Sequence, residues 1–432
     1  GCAISRVILV AHLLHSQQAW GAVSCGLLCC ISSGFFSRDQ MRAAVYDRHS
    51  PEGVRTVFDQ RPPPSLSSTA DGTSPPGSAG AGGRAPRSAP GSQALIRVRA
   101  AGVNPVDAKF VFADKLPRAL GGLAQRAVQN RRVGFDFSGV VIRAGRGCGF
   151  KPGDEVWGTM PPFQGTLAEE IVAPCDQMGL KPSCLSFEEA AAVPLSGLTA
   201  FQALDQHGLR EGQCEGKRIL VIGASGGVGH LAVQVASARG LQVTAICSKE
   251  SFAVVTELGA SECIDYKNPR SPDSPVGGDG DFVVEALEET VIRVGKPFDM
   301  VLDTVSSHLA VDTAFSYETR IRRCSTPLLE QGSGADVHNY VIIGAHTSMW
   351  IVAGIKRLCG LNLFQRGHEL FWVRFPNSSG ELESLRGYAE AGKLHPRLAA
   401  VLPLTSEGVQ EAFRQLHSRR TQGKIVVQVE RE

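Results

Sequence analysis

The sequence predicts an α/β protein that combines a β-rich N-terminal unit with a doubly wound parallel sheet. From Lys217 onward, short apolar runs alternate with helical stretches, which is the pattern of a parallel sheet with helices on both faces. From Met41 to about Leu195 the chain instead carries short strands, many glycines and turn dipeptides such as Pro152-Gly153. The length of 432 residues allows roughly two or three domains with ample core.

The first 40 residues differ in composition from the rest of the chain. They contain no acidic residue before Asp39 and an apolar-to-neutral run from Ala19 to Phe36. This composition is typical of a cleavable targeting segment, so we expect residues 1–40 to be a leader to an organelle, with a mitochondrion favoured over a plastid. The alternatives are N-myristoylation of Gly1, if an initiator Met was removed, and a cytoplasmic protein.

Two strands are predicted at the start of the β-rich unit, around Arg42–Tyr46 and Ala94–Ala100. Between them, Arg61–Ser92 is dense in Pro, Gly, Ser and Ala, which predicts a disordered insertion. A second irregular stretch, Ser271–Asp281, is rich in Gly, Pro and Asp. Because surface insertions cost little free energy, neither stretch needs a functional explanation.

The clearest local signal is a strand, a glycine-rich turn and a helix within Lys217–Gly240. Ile219–Ile222 form a β-branched apolar run, which is typical of a buried parallel strand. Glycines in a turn can take positive φ and let backbone N–H groups approach an anion at a helix N-terminus. The pattern therefore predicts a dinucleotide site, the alternative being a tight turn without a ligand. The turn residues are Gly223, Ser225, Gly226, Gly227, Val228 and Gly229.

The end of the next strand, Leu241–Ile246, indicates which dinucleotide is bound. An NAD-specific site usually carries an acid roughly 20 residues past the glycines, where it binds the adenosine ribose. This chain has Cys247-Ser248-Lys249 at that point, and its first carboxylate, Glu250, comes later. A hydroxyl and an ammonium fit a 2′-phosphate better than a bare diol, so NADPH is favoured over NADH. The alternative is that Lys249 is an ordinary solvated lysine.

The remaining strands of the predicted parallel sheet follow at regular intervals, with helical stretches between most of them. The final apolar run is one more strand, which we expect to return to the N-terminal unit. The predicted strands are 219–222, 241–247, 262–265, 299–303, 340–344, a candidate sixth at 370–375, and the final 423–429.

Composition excludes several classes of function. The net charge is only +2 and there is no basic stripe, so nucleic acid is not an expected partner. The folded body has no uncharged apolar run of about 18 residues, so no membrane span is expected there. The 12 cysteines include no C-x-x-C pair, and we expect reduced, structural thiols rather than a zinc framework.

Motifs found in order along the chain resemble the medium-chain dehydrogenase/reductase superfamily, specifically its zinc-free quinone oxidoreductase branch. The segment FWVRFPNSSGELESLRGYAEAGKLHP is similar to the reticulon-interacting, mitochondrial NAD(P)H oxidoreductase subgroup. The match spans nearly everything from Met41 to the end, apart from the insertions. The motifs are AAGVNPVDAK (100–109), GFDFSGVV (134–141), KPGDEVWG (151–158), GTLAEEIVAP (165–174), AAAVPLSGLTAFQAL (190–204), GASGGVG (223–229), LGASECIDY (258–266), FDMVLDTV (298–305) and GKIVVQV (423–429).

The resemblance implies a GroES-like catalytic domain wrapped around a Rossmann domain, with the active site between them. We expect the catalytic domain at 41–195, the Rossmann domain at 196–378, and a linking helix with a return to the catalytic domain at 379–432. Zinc-dependent relatives have a Cys where Asn104 stands and a His where Phe135 stands. Since neither an amide nor a phenyl ring can complete a catalytic zinc site, the expected chemistry is zinc-free.

The resemblance also assigns roles to single residues. Ser225, Gly226, Gly227 and Val228 are expected at the pyrophosphate and its ribose, and Ser248, Lys249 and Tyr266 at the 2′-phosphate. The expected catalytic residues are Asn104, whose amide would orient a substrate carbonyl, and Thr199, near the nicotinamide together with Gly344. Each has a structural alternative: Thr199 packing within its helix, Tyr266 as a core-edge aromatic, Asn104 bracing the turn before Pro105. Asp107, Asp136 and Asp154 are expected to fix loops.

The implied activity is hydride transfer from NADPH to a quinone or a related conjugated carbonyl, with no essential protein acid. One alternative is an enone or enoyl-thioester reductase; mitochondrial enoyl-thioester reductases use a tyrosine soon after the NP-x-D motif, and 110–132 contains none. Another alternative is a non-catalytic NADPH-binding scaffold or assembly factor. The expected partner is a small-molecule quinone or enone, and a homodimer is possible.

Overall fold

The structure is a computed structural model. It describes residues 41–46, 52, 54–59, 91–109, 129–161, 164–267, 282–305, 317–322, 324, 326–330, 339–343, 368–371, 373–375 and 377–429. The chain separates into Gly1–Asp39 and Gln40–Glu432, and every element below belongs to the second unit. The predicted leader, most of the predicted insertion at 61–92 and the irregular stretch at 271–281 lie outside the described residues.

Strands and helices are numbered in chain order over the described residues. The strands are β1 Met41–Tyr46, β2 Val54–Asp59, β3 Gln93–Val103, β4 Asp136–Ala144, β5 Glu155–Thr159, β6 Glu170–Pro174, β7 Met178–Leu180, β8 Arg218–Ile222, β9 Gln242–Cys247, β10 Glu262–Asp265, β11 Met300–Asp303, β12 Tyr340–Ile343, β13 His368–Phe371, β14 Leu398–Pro403 and β15 Lys424–Gln428. The α-helices are α1 Pro105–Lys109, α2 Phe187–Ala191, α3 Pro194–Gln206, α4 Gly229–Ala238, α5 Phe252–Glu257, α6 Phe282–Val294, α7 Tyr317–Arg322, α8 Ser379–Glu390 and α9 Ser406–Ser418.

The C-terminal half forms a six-stranded sheet in the order β10-β9-β8-β11-β12-β13. Every pair of neighbouring strands in it is parallel, and all five residues of β8 are buried. This is the doubly wound sheet that the alternation of apolar runs and helices predicts, so the fold class is confirmed. The candidate sixth strand begins at 368, two positions before the predicted 370.

The N-terminal strands and the last two strands of the chain form a seven-stranded sheet in the order β14-β15-β3-β4-β5-β7, with β6 also paired to β3. β3 is antiparallel to both of its neighbours in that order, so the end of β3 lies beside the starts of β4 and β15. Because Ile425 pairs with Val103, the residues just beyond this pair, Asn104 and Lys424, become neighbours. The boundaries proposed for the domains stay a prediction.

Helix α3 lies between the two large sheets. Proline at its first position suits a helix start, because that position has no intrahelical N–H partner. Eleven of its residues, Pro194 to Leu204, are buried. One apolar cluster joins residues of α3 with Trp157 of β5, Val221 of β8 and Leu385 of α8. The two sheets therefore share core packing through α3.

The expectation of reduced thiols is wrong for one pair of cysteines. Cys148 and Cys175 form a disulfide, with a Cα–Cα distance of 5.8 Å. The sheet explains the pairing, because Ala94 of β3 pairs with both Ala144 of β4 and Ala173 of β6. The loops after β4 and β6 therefore meet at the start of β3. Among the described residues the free cysteines are Cys184, Cys214, Cys247, Cys263 and Cys324.

No helix in the described ranges has both the length and the apolar character needed to cross a membrane.

Candidate active site

The glycine-rich turn connects β8 to α4, at the carboxyl ends of the parallel strands. Gly223 has φ +78°, and a Cβ there would lie 2.5 Å from Val305 Cγ2 and 2.6 Å from Thr304 Oγ1. A Cβ on Gly229 would collide with the carbonyl oxygen of Gly223. Glycine is therefore required at both positions: at Gly223 by the backbone conformation, and at Gly229 by the close approach of α4 to the turn.

Backbone donors remain available at this turn. Within the described part of the chain, the amides of Ser225, Gly227 and Val228 donate to no backbone oxygen, and all three residues are partly exposed. They lie at the N-terminus of α4, where the helix dipole favours an anion. The structure thus provides an anion cradle at the predicted pyrophosphate position, and these residues fit a dinucleotide.

The start of β15 lies against the glycine-rich turn. Gly423 N donates to Ser225 O at 2.9 Å, and a Cβ on Gly227 would lie 3.3 Å from Lys424 Cδ. Gly423 has φ +91°, and a Cβ there would collide with the carbonyl oxygen of Arg397. From the sequence, this segment is predicted only as a returning strand. The glycine and the lysine that begin the motif GKIVVQV could have indicated that this segment also contacts the glycine-rich turn.

Asn104 lies in a buried polar cluster formed at the ends of three strands and α3. Its Nδ2 donates to Asp136 Oδ2 at 2.9 Å and to Gly102 O at 3.4 Å, and its Oδ1 accepts from Lys424 Nζ at 2.5 Å. Lys424 Nζ also lies 3.4 Å from Asp136 Oδ2 and 3.2 Å from Ser196 Oγ. Asn104 is only 3% exposed. Its amide is therefore bound on both sides by protein groups, and the orienting role predicted for it requires that the substrate displace one of them.

The turn after Asn104 is held by Asp107. The Oδ2 atom of Asp107 accepts from the backbone N of Asn104 at 2.8 Å. Asp136 is also completely buried, and its Oδ1 accepts from the backbone N of Leu195 at 2.8 Å. Both carboxyl groups therefore bind backbone amides of neighbouring segments, as expected for residues that fix loops.

Burial governs the charges of this cluster. Desolvation raises the pKa of Asp107 to about 8, although the hydrogen bond from the Asn104 backbone lowers it and Asp136 raises it further. Desolvation also raises the pKa of Asp136 and lowers that of Lys424, and the attraction between these two groups opposes both shifts. At neutral pH we therefore assign a protonated Asp107, and it lies beside the Lys424–Asp136 ion pair, whose Nζ and Oδ2 atoms are 3.4 Å apart.

Thr199 lies one turn into α3 and is 6% exposed. Its hydroxyl donates to Leu195 O at 2.7 Å, a bond within its own helix. This contact corresponds to the structural alternative for Thr199, and its role near the nicotinamide stays a prediction. Gly344, the other residue expected there, lies outside the described residues.

The predicted 2′-phosphate residues meet at the carboxyl ends of β9 and β10. Ser248 follows β9, Lys249 is exposed, and Tyr266 is 46% exposed with its backbone N bound to Cys247 O at 3.3 Å. Lys267 is not among the site residues predicted from the sequence, and its Nζ lies 5.7 Å from the Tyr266 ring centroid. Its Nζ is 3.4 Å from Glu250 Oε2. Asp265, the last residue of β10, accepts from Lys267 N at 2.9 Å, so two lysines and two carboxylates lie at this tip and their charges balance.

The positions that hold zinc ligands in zinc-dependent relatives have a different environment here. Phe135 is 2% exposed, and its ring stacks on Phe375 with 6.0 Å between centroids. Asn104 carries the ammonium of Lys424 against its amide oxygen. No group of three metal-ligating side chains occurs in the described segments. These residues do not fit a zinc ion, because an apolar ring and an adjacent cation replace the ligands.

Comparison with known proteins identifies the family. Residues 90–198 match the alcohol dehydrogenase GroES-like domain, and residues 258–427 match the zinc-binding dehydrogenase family. The mitochondrial NAD(P)H oxidoreductase RTN4IP1 of Bos taurus is 32% identical over 78% of this chain and 82% of its own length. The trans-enoyl reductase pgmF of Aspergillus terreus is 28% identical over 78% of this chain and 86% of its own.

Among solved structures, the quinone oxidoreductase from Coxiella burnetii is 26% identical, with a TM-score of 0.61. The match covers 90% of this chain and all of the other. Enzymes of one superfamily thus match both halves of the chain, which leaves the non-catalytic scaffold without support. The chain belongs to the medium-chain dehydrogenase/reductase superfamily, where it is similar to the RTN4IP1 NAD(P)H oxidoreductases, and it is an oxidoreductase that uses a nicotinamide cofactor.

Proposed function

We propose that this enzyme transfers hydride from NADPH to a quinone or a related conjugated carbonyl without a metal ion. The observation that carries this proposal is the buried cluster of Asn104, Asp136 and Lys424. Its member Asn104 stands where the resemblance puts a metal-binding Cys in zinc-dependent relatives. A lysine ammonium already supplies the positive charge there, and a divalent cation beside it would be repelled.

The preference for NADPH is supported by Lys249 and Ser248 at the tip of β9. Lys249 is exposed and forms no ion pair with a carboxylate among the described residues, whereas Lys267 is bound by Glu250. The Ser248 hydroxyl is near the same surface. A 2′-phosphate carries about two negative charges and accepts hydrogen bonds, so it suits this surface better than a ribose hydroxyl does. Two carboxylates, Glu250 and Asp265, favour NADH instead, and each is already engaged by Lys267: Glu250 by its ammonium and Asp265 by its backbone N.

The bound dinucleotide would supply the hydride. The chain contributes binding and orientation: the amides of Ser225, Gly227 and Val228 hold the pyrophosphate, and α3 lies between the two sheets. Lys424 joins the pyrophosphate turn to the substrate side, because its stem contacts Gly227 and its amine contacts Asn104. No side chain here needs to donate a proton, since a reduced quinone can take one from solvent.

A second candidate activity is the reduction of an enone or an enoyl thioester. It is favoured by the similarity to the trans-enoyl reductase pgmF, which spans most of both chains. The absence of tyrosine from 110–132 of the sequence argues against the mechanism that relies on a tyrosine donor. We therefore keep this activity as the alternative.

A panel of acceptors distinguishes the two activities. Purified enzyme with NADPH or NADH is given 1,2-naphthoquinone, 9,10-phenanthrenequinone, a simple enone and an enoyl thioester. We expect the quinones to be reduced fastest and NADPH to be preferred, with transfer of deuterium from one face of stereospecifically labelled NADPH. Faster turnover of the enoyl thioester than of any quinone would establish the alternative. Failure of every acceptor would contradict both.

We also propose a location in an organelle, with the mitochondrion favoured. The support is the composition of residues 1–40 and the mitochondrial location in the name of the RTN4IP1 relatives. Fusing residues 1–60 to a fluorescent protein tests it. Import into mitochondria is expected, whereas diffuse cytoplasmic fluorescence would contradict the proposal.

A further inference from the structure

A chain of side-chain hydrogen bonds runs from Gln422 to the tip of β9. Gln422 Nε2 donates to Ser251 Oγ at 3.0 Å, and Ser251 Oγ lies 3.3 Å from Ser248 Oγ. Ser251 is 1% exposed and Ser248 is 7% exposed, so solvent has little access to the bonds between them. We name these three residues the relay. It connects the segment before β15 to a residue that the proposed function assigns to the 2′-phosphate.

The donors and acceptors of the relay are compatible with one direction, from Gln422 through Ser251 to Ser248. An amide NH₂ group only donates, so Ser251 Oγ accepts from Gln422 and its own hydrogen is available to Ser248. At the other end, the hydrogen bond from the Ser248 hydroxyl is, after the backbone N–H of Glu250 itself, a cause of the lowered pKa of Glu250. A carboxylate only accepts. The Ser248 hydrogen therefore points outward at Glu250, where a 2′-phosphate would replace the carboxylate as its acceptor, and the hydrogen of Ser251 is left free to complete the relay.

The backbone around Gln422 has little freedom to move. Gly423 N donates to Ser225 O of the pyrophosphate turn, and Lys424 N donates to Arg397 O at 2.8 Å. The Cα of Gly423 is packed so closely against Arg397 that no side chain fits there. Gln422 is thus held at a fixed position relative to the cradle, which keeps the relay and the pyrophosphate site in register.

We propose that Gln422 is a positioning residue that determines cofactor specificity, because it orients the relay so that Ser248 donates to the 2′-phosphate of NADPH. The inference rests on the proposed function, which places that phosphate at Ser248. A phosphate oxygen only accepts hydrogen bonds, whereas a ribose hydroxyl both donates and accepts. An outward donor at Ser248 therefore favours the phosphate, and an outward acceptor would favour the hydroxyl.

The variant Gln422→Glu reverses the relay with almost no change of shape. A carboxylate makes Ser251 donate towards position 422, so the bond between the two serines is kept only if Ser248 donates inward and presents lone pairs outward. We expect the Kd for NADPH and for the fragment 2′,5′-ADP to rise about tenfold or more, since a hydrogen bond to a charged group is lost. The Kd for NADH should change by less than about twofold. Gln422→Met removes the donor without reversing the relay and should have a smaller effect of the same sign.

Two controls separate the relay from the added charge. Gln213→Glu makes the same chemical change on an exposed loop before β8, at the opposite edge of the sheet, and should leave all three Kd values unchanged. The second control combines Gln422→Glu with Ser251→Ala, which interrupts the relay. If the relay carries the effect, the glutamate should change NADPH affinity little in the Ser251→Ala background.

The binding titrations have clear refuting outcomes. An equal loss of NADPH affinity from Gln422→Glu with and without Ser251 would show that charge alone is responsible and would overturn the relay. Unchanged selectivity in Gln422→Glu, in a protein that prefers NADPH before mutation, overturns the relay but not the proposed function. Equal affinities for NADH and NADPH in the unmutated enzyme would overturn both.

Discussion

Replacing Lys424 by methionine should destabilise the protein strongly. The Nζ atom of Lys424 binds Asn104 Oδ1, Ser196 Oγ and Asp136 Oδ2, and the side chains of Lys424 and Asp136 are 3% and 0% exposed. Removing one partner of a buried ion pair leaves the other charge uncompensated, which costs about 3–5 kcal/mol. The stem of methionine fills most of the same volume, so little of this loss comes from a cavity.

The expected shift in melting temperature follows from the size of the folded unit. The entropy of unfolding is roughly 2.1 cal/mol/K per residue, so a loss of 4 kcal/mol lowers the Tm by about 5 °C for a unit of this length. Differential scanning fluorimetry at pH 7 would measure it. Lys424→Arg is the matched control that keeps the charge and should retain more of the stability.

A double-mutant cycle with Asp136→Asn tests the reasoning. In the double variant neither buried charge remains, and the new amide at position 136 can donate to Asn104 Oδ1. We expect the double variant to be more stable than Lys424→Met alone, with a coupling energy of about 2 kcal/mol or more. Additive losses, or a change below about 1 kcal/mol for Lys424→Met, would refute the assignment of a charged pair.

Further predictions concern the other features of the structure. Burial raises the pKa of Asp107 to about 8, so the folded state keeps a proton that the unfolded state releases above about pH 4. The free energy of unfolding should therefore fall as the pH rises from about 4 to about 8. In Tm measurements from about pH 5 to 8, Asp107→Asn should make this pH dependence weaker. The disulfide between Cys148 and Cys175 closes a loop of sequence separation 27, so its reduction should cost about 3 kcal/mol, and an unchanged Tm in dithiothreitol would contradict the pairing. Lys249→Glu should raise the Kd for NADPH about tenfold while leaving NADH binding nearly unchanged, and Gly226→Asp should prevent binding of both cofactors. Elemental analysis of the purified enzyme should find no stoichiometric zinc, and chelators should not change its turnover; a chelator-sensitive equivalent of zinc would refute metal independence.

The sequence by itself determined the parallel sheet and its glycine-rich turn. Strands β8, β9 and β10 were predicted to within about one residue at each end, because each is a short apolar run with its own start and stop. The turn at Gly223 was also predictable from the local sequence, because glycine is the residue type that readily adopts the positive φ found there. The local sequence pattern was sufficient to predict these elements, because their conformation depends on residues that are adjacent along the chain.

Only the tertiary structure decided what surrounds the predicted site. Lys424 lies 320 positions from Asn104, Gln422 lies 171 from Ser251, and no periodicity connects them. They meet because β15 returns to pair with β3, and the same sheet brings Cys148 to Cys175. A buried charge or a directed hydrogen bond depends on its partner, and partners far apart in sequence are chosen by strand pairing and core packing. The glycine-rich turn could therefore be predicted from the sequence, but the charged groups and hydrogen-bond donors around it could be identified only from the tertiary structure.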